Sequence, residues 1–132
     1  EVAGYIAQLV DNHPYYVQQL AQLSWLRCEK DCSAETVDGA LESLLDSLNL
    51  QFINIMDSLT EKQRNFLCAL SDGVSQLTSE KTLSTYRLGT NGNVRIIRNA
   101  LLKRDIVDME GRTVYIQDPV FKLWIVRQYS IL

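Results

Sequence analysis

Chemistry-bearing side chains are scarce in this chain. It holds one histidine, three cysteines and two prolines, and no segment reads GxxxxGK[ST] or GxGxxG. Without a phosphate-cradling loop beside a lysine and a hydroxyl, these residues are expected neither to hydrolyse ATP nor to bind it measurably on their own. A Ser–His–Asp or Cys–His arrangement would have to use His13, and no nucleophile elbow surrounds it. His13 therefore reads as a loop residue. A closed zinc site needs four ligands, whereas Cys28 and Cys32 stand four apart across a helix break with no second pair. No catalytic residue, no metal site and no cofactor held by these residues alone are expected, so the chain is read as no enzyme by itself.

Long apolar runs are missing too. None approaches the roughly 20 residues that span a bilayer, so no membrane partner is expected. The first residue is Glu1, not Met, with no basic n-region or h-region after it. That start predicts a fragment of a longer protein without a signal peptide. Three cysteines, odd in number and set among helical apolar residues, are expected as reduced thiols in a cytoplasmic protein.

What is present is a normal supply of core residues, 46% apolar against 22% charged. The net charge of −3 hides a split. Residues 1–56 carry eight acidic groups against two basic, a net of −6; residues 57–132 carry eight against eleven, a net of +3. Two units with different surfaces are expected, 1–56 and 57–132. A charge of +3 is compatible with a nucleic-acid partner without requiring one.

The pattern along the chain is mainly helical. Val2, Ile6, Leu9 and Val10 predict a short first helix. Pro14 fits the first turn of a second, with Tyr16, Leu20, Leu23 and Leu26 on one face. Ser33 is a candidate N-cap for a third helix carrying Val37, Leu41, Leu44, Leu45, Leu48 and Phe52, which either continues to Met56 or bends near Asn49. Thr60 and Gln63 make a capping box opening a helix that buries Phe66, Leu67 and Leu70. Thr78 or Ser79 caps a short helix to about Leu88. Gly89-Thr90-Asn91-Gly92 reads as a tight turn before a helix from about Asn93 to Arg104. Ile106–Met109 and Arg112–Ile116 flank a Glu110-Gly111 turn, and Asp118 can cap a final helix starting at Pro119. The expected fold is mainly α with a small β-hairpin, a helical subdomain followed by a winged helix-turn-helix domain.

Arg95, Asn99 and Lys103 fall at i, i+4 and i+8, one polar stripe on the penultimate helix, with Arg98 at its flank. In a helix-turn-helix that face enters the major groove, where Arg and Asn read guanine and adenine bidentately. Arg112 on the wing joins the candidate set, opposed by Asp108 and Glu110. The alternative for the same residues is a solvated face on a helix whose other side is core.

Two motifs in order carry a family resemblance. Asp11-Asn12-His13-Pro14-Tyr15-Tyr16-Val17-Gln18-Gln19-Leu20 resembles the lid helices of archaeal-type AAA+/STAND ATPases. The segment from Leu59 through Asp118-Pro119-Val120-Phe121-Lys122-Leu123-Trp124 resembles the winged-helix domain that follows that lid. The resemblance implies the C-terminal regulatory or recognition module of an ATPase whose ATP- and Mg-binding core lies upstream. It implies that Pro14, with His13 and Tyr15 beside it, packs on the adenine side of that core. It implies DNA or a protein as partner of the winged helix. The family's lid arginine has no matching position here; Arg27 is the nearest basic residue. Readings from other classes are a freestanding winged-helix DNA-binding regulator and a protein-interaction winged helix.

Overall fold

The computed structural model describes residues 1–129. It divides into two units, Glu1–Phe52 and Ile53–Leu132.

In the first unit, α1 (Val2–Leu9), α2 (Pro14–Arg27) and α3 (Ala34–Ser47) pack on one another. Their core is Ile6, Val10, Tyr16, Leu20, Val37, Ala40, Leu44 and Leu45. The α1–α2 turn places Asp11 and Asn12 at φ of 50° and 58°, the left-handed region in which short polar side chains are tolerated. Pro14 follows as the first residue of α2, with His13 as N-cap. The buried stripe of α2 is Tyr16–Leu20–Ser24, so Leu26, expected on that face, is instead 72% exposed beside Trp25 at 76%. Ser33 caps α3 by accepting from the Thr36 N–H at 3.3 Å. Cys28 and Cys32 are joined as a disulfide across the α2–α3 connection, with Cα atoms 5.3 Å apart. This corrects the expectation of three reduced thiols: the turn after Arg27 brings two sulfurs together that helical spacing would keep apart. Cys68 is free.

Helix α4 (Asn49–Asp57) begins after a break at Leu48, so the long helix bends as one of the two expected alternatives. The division between the units falls within α4.

The second unit continues with α5 (Glu61–Ser71), α6 (Glu80–Thr85), α7 (Asn91–Lys103), the hairpin β1 (Val107–Glu110) and β2 (Thr113–Ile116), and α8 (Pro119–Tyr129). It is the expected helices-then-hairpin order. Thr60 opens α5 through the reciprocal box: the Gln63 N–H donates to the Thr60 Oγ1 at 3.2 Å and the Thr60 N–H to the Gln63 Oε1 at 2.9 Å. The connection before it is clamped by Arg64, which donates to the carbonyls of Met56 and Leu59, and by Arg104, which donates to the Ser58 hydroxyl at 2.9 Å. Asp118 Oδ1 accepts from the Val120 and Phe121 N–H groups and starts α8. Around α5 the core collects Phe66, Leu67, Val94, Ile97, Leu101, Val107, Ile116, Phe121 and Trp124, with α5 packed on α7, α8 and β2.

Two local expectations shift by a turn or less. Gly89–Gly92 is not a separate tight turn: the Thr90 hydroxyl accepts from the Asn93 N–H, so Asn91 and Gly92 form the first turn of α7. In the hairpin, Glu110 pairs with Thr113, so the two turn residues are Gly111 and Arg112. Arg112 thus sits at the wing tip instead of in β2. Gly111 at φ 62° supplies the positive φ wanted at the first position of such a loop.

Gly89 joins α6 to α7 at φ 88°, and a Cβ there would come within 2.4 Å of the Asn93 side-chain nitrogen. Gly89→Ala is expected to destabilise the second unit by about 1 kcal/mol or more, because neither the backbone nor the space suits an L side chain. Urea denaturation of wild type and variant measures it.

Candidate nucleic-acid interface

Helix α7 is built with two unlike sides. Val94, Ile97 and Leu101 are buried, which turns Arg95, Ile96, Asn99 and Lys103 outward. Ile96 is 68% exposed, an apolar side chain within an otherwise polar row. The side chains of Arg95, Asn99 and Lys103 make no hydrogen bond or ion pair with the described residues. Their donors and acceptors are left to solvent or to a partner.

Helix α7 packs on α5, and α5 and α6 are tied together at their C-terminal ends. Tyr86, the C-cap of α6, donates its hydroxyl to Asp72 Oδ2 at 2.6 Å, and Asp72 is the C-cap of α5. Hydrogen bonding to the Asp72 carboxylate, then burial and the nearby negative charge, pushes the Tyr86 phenol up to about 12 from 10.0. The folded value lies above the unfolded one, so this contact contributes its full stability below about pH 10 and loses it as pH rises through about 12. The stability difference between wild type and Tyr86→Phe should therefore hold from pH 8 to about pH 10 and shrink toward about pH 12, as denaturation curves across that window would record. Cys68 lies close by. Burial first, and then Asp72, pushes its thiol up, which is the wrong direction for a nucleophile.

Arg98 departs from the outward row. It is half-buried, and its Nε is fully enclosed with no hydrogen-bond partner. It faces a cleft of about 450 Å³ shared with Arg112 of the wing tip and with Ser75, Thr78 and Ser79 of the segment before α6. Leaving a buried polar donor unmet costs about 1–3 kcal/mol, a local penalty of the packing around Arg98. Asp108, expected to oppose Arg112, spends one oxygen on the Met109 N–H at 2.8 Å. Arg112 itself is exposed and makes no ion pair with the described residues. The structure therefore groups Arg95, Asn99 and Lys103 on one surface, and Arg98 with Arg112 in a neighbouring recess. Nothing in the spacing of Arg98 signalled the recess, because its other walls come from residues about 20 positions upstream and 14 downstream.

In the first unit, His13, Pro14 and Tyr15 are all exposed at the start of α2, Tyr15 at 60%. Tyr16, by contrast, is buried, with the His13 ring 4.7 Å and the Tyr15 ring 5.5 Å away. Arg27 donates to the Ser43 hydroxyl at 3.2 Å. Among the described residues no group of three or more His, Cys, Asp or Glu side chains could hold a metal ion. No described helix is long and apolar enough to cross a membrane.

A family model described as a probable winged helix domain matches residues 50–127. No curated protein and no solved structure matches the chain.

Proposed function

The chain belongs to that winged helix family, and on this premise we propose that it is a recognition module whose α7 contacts DNA. The observation that carries the reading is the unpartnered outward row Arg95–Asn99–Lys103, on the helix that follows the α6–α7 turn. Arg and Asn offer the bidentate donor and acceptor sets that base edges in the major groove match, and Ile96 offers an apolar contact of the kind a thymine methyl accepts. Arg112 at the wing tip is placed to meet a flanking phosphate. Mild positive charge makes the binding weak and salt-sensitive, since each phosphate neutralised adds about one unit of salt slope.

We further propose that this module belongs to the C-terminal part of a nucleotide-dependent ATPase and performs no catalysis itself. The lid-like Asn12-His13-Pro14-Tyr15 turn supports that reading. So does the exposure of Tyr15 beside Pro14, which leaves its ring open to a neighbouring body. In that setting Pro14, His13 and Tyr15 would lie against the adenine, with ATP and Mg held by the core. Titration calorimetry of this chain with ATP and Mg should show no tight, saturable binding at the lid-like turn.

Fluorescence anisotropy with a mixed-sequence duplex, repeated at several salt concentrations, tests the DNA reading. Binding with a negative salt slope supports it. No binding at about 100 micromolar protein, near the weak limit of non-specific association, would make α7 a protein-contact surface instead.

A further inference from the structure

We propose that the cleft between the 75–79 segment, α7 and the wing tip binds a small ligand through a terminal phosphate. Two guanidinium groups, Arg98 and Arg112, line it, and none of its lining residues is acidic. Two cations without a counter-charge hold a positive potential in a recess, where field is focused better than on a flat face. The Arg98 side chain is half-buried in the wall, so part of its hydration is already lost before a ligand arrives. The Ser75 and Thr78 hydroxyls add neutral donors and make no hydrogen bond with the described residues. Planar forks of N–H groups match the oxygens of phosphate, and three terminal oxygens can use two arginines and two hydroxyls at once. A carboxylate has only two oxygens to offer.

The recess also argues for a terminal phosphate over the backbone of a duplex. A duplex phosphate lies on a broad convex surface, whereas Arg98 is half-buried in the wall of the cleft. Leu77, Val94 and Val114 supply apolar wall for the body of the ligand, and a volume of about 450 Å³ lies within the range of small-molecule sites. The cleft does not depend on DNA reading by the outward row, because Arg95, Asn99 and Lys103 are not among its lining residues.

Amide NMR of the whole chain, titrated with inorganic phosphate and with acetate and chloride at matched ionic strength, is the test. Phosphate should give saturable shifts confined to 75–79, 98 and 112, with an affinity on the order of 1 mM for charge-assisted contacts at this exposure. Arg98→Gln and Arg112→Gln should each weaken it by about tenfold or more, while Arg95→Gln leaves it unchanged. Arg112 is exposed at a turn, so its variant keeps the test decisive if Arg98→Gln fails to fold. Equal shifts with acetate, linear shifts without saturation, or phosphate binding unaffected by Arg112→Gln would overturn the proposal. Duplex-induced shifts that spread from the wing tip into 75–79 and 98 would assign the cleft to the DNA backbone and overturn it as a small-ligand site.

Discussion

Trp124→Ala should remove a large share of the stability of the second unit, a loss of about 3–5 kcal/mol. Trp124 is 1% exposed and stacks near Phe121, ring centroids 6.0 Å apart at an interplanar angle of 22°. It lies on α8, which packs against α5 and β2. Truncating it removes a large buried surface and opens a cavity that residues held by other elements cannot easily fill. Domains of this size are stable by about 5–15 kcal/mol, so the variant should unfold at much lower urea. Trp25→Ala is the internal control. Trp25 is 76% exposed, and surface changes usually stay within about 0.5 kcal/mol. Equal losses from the two tryptophans would contradict the packing described.

Arg95→Ala should weaken duplex binding by about 1–3 kcal/mol if the guanidinium reads a base. The loss should be larger on the preferred sequence than on others. Lys103→Ala should act differently. A lysine at the last turn of α7 meets phosphate as a point charge, so its removal should weaken all duplexes alike and reduce the salt slope by about one. Both side chains are exposed and make no hydrogen bond with the described residues, so neither variant should disturb folding. Anisotropy across a small set of duplexes separates the two. If Arg95→Ala and Lys103→Ala leave affinity unchanged, the outward row is a solvated face or a protein contact.

The features legible in the sequence are those settled within a few residues. Thr60 with Gln63, Ser33 with Thr36, and Asp118 ahead of Pro119 start helices through side-chain bonds to backbone three residues away or closer. Such bonds need no tertiary partner. The buried side of α7 was equally readable, since Val94, Ile97 and Leu101 repeat at helical spacing. What escaped reading depended on geometry between distant positions. The Cys28–Cys32 bond rests on the path of the α2–α3 turn. Gly89 and Gly92 suggested a turn, and only the Thr90 hydroxyl decided that Asn91 and Gly92 are helical. A one-residue register choice in the hairpin moved Arg112 to the wing tip. Leu26 kept helical spacing with Leu23, yet the partner helices cover only the Tyr16–Leu20–Ser24 stripe. The recess around Arg98 is the sharpest case, because its three walls meet only when the second unit folds.

Amide NMR mapping of a mixed-sequence duplex onto this chain tests most directly whether α7 is the recognition surface. The expected result is saturable perturbation of 95, 96, 99 and 103 along the outward row, with the wing tip around 111–112 moving together with it. Perturbation that leaves α7 untouched, or no saturable perturbation at all, would contradict it.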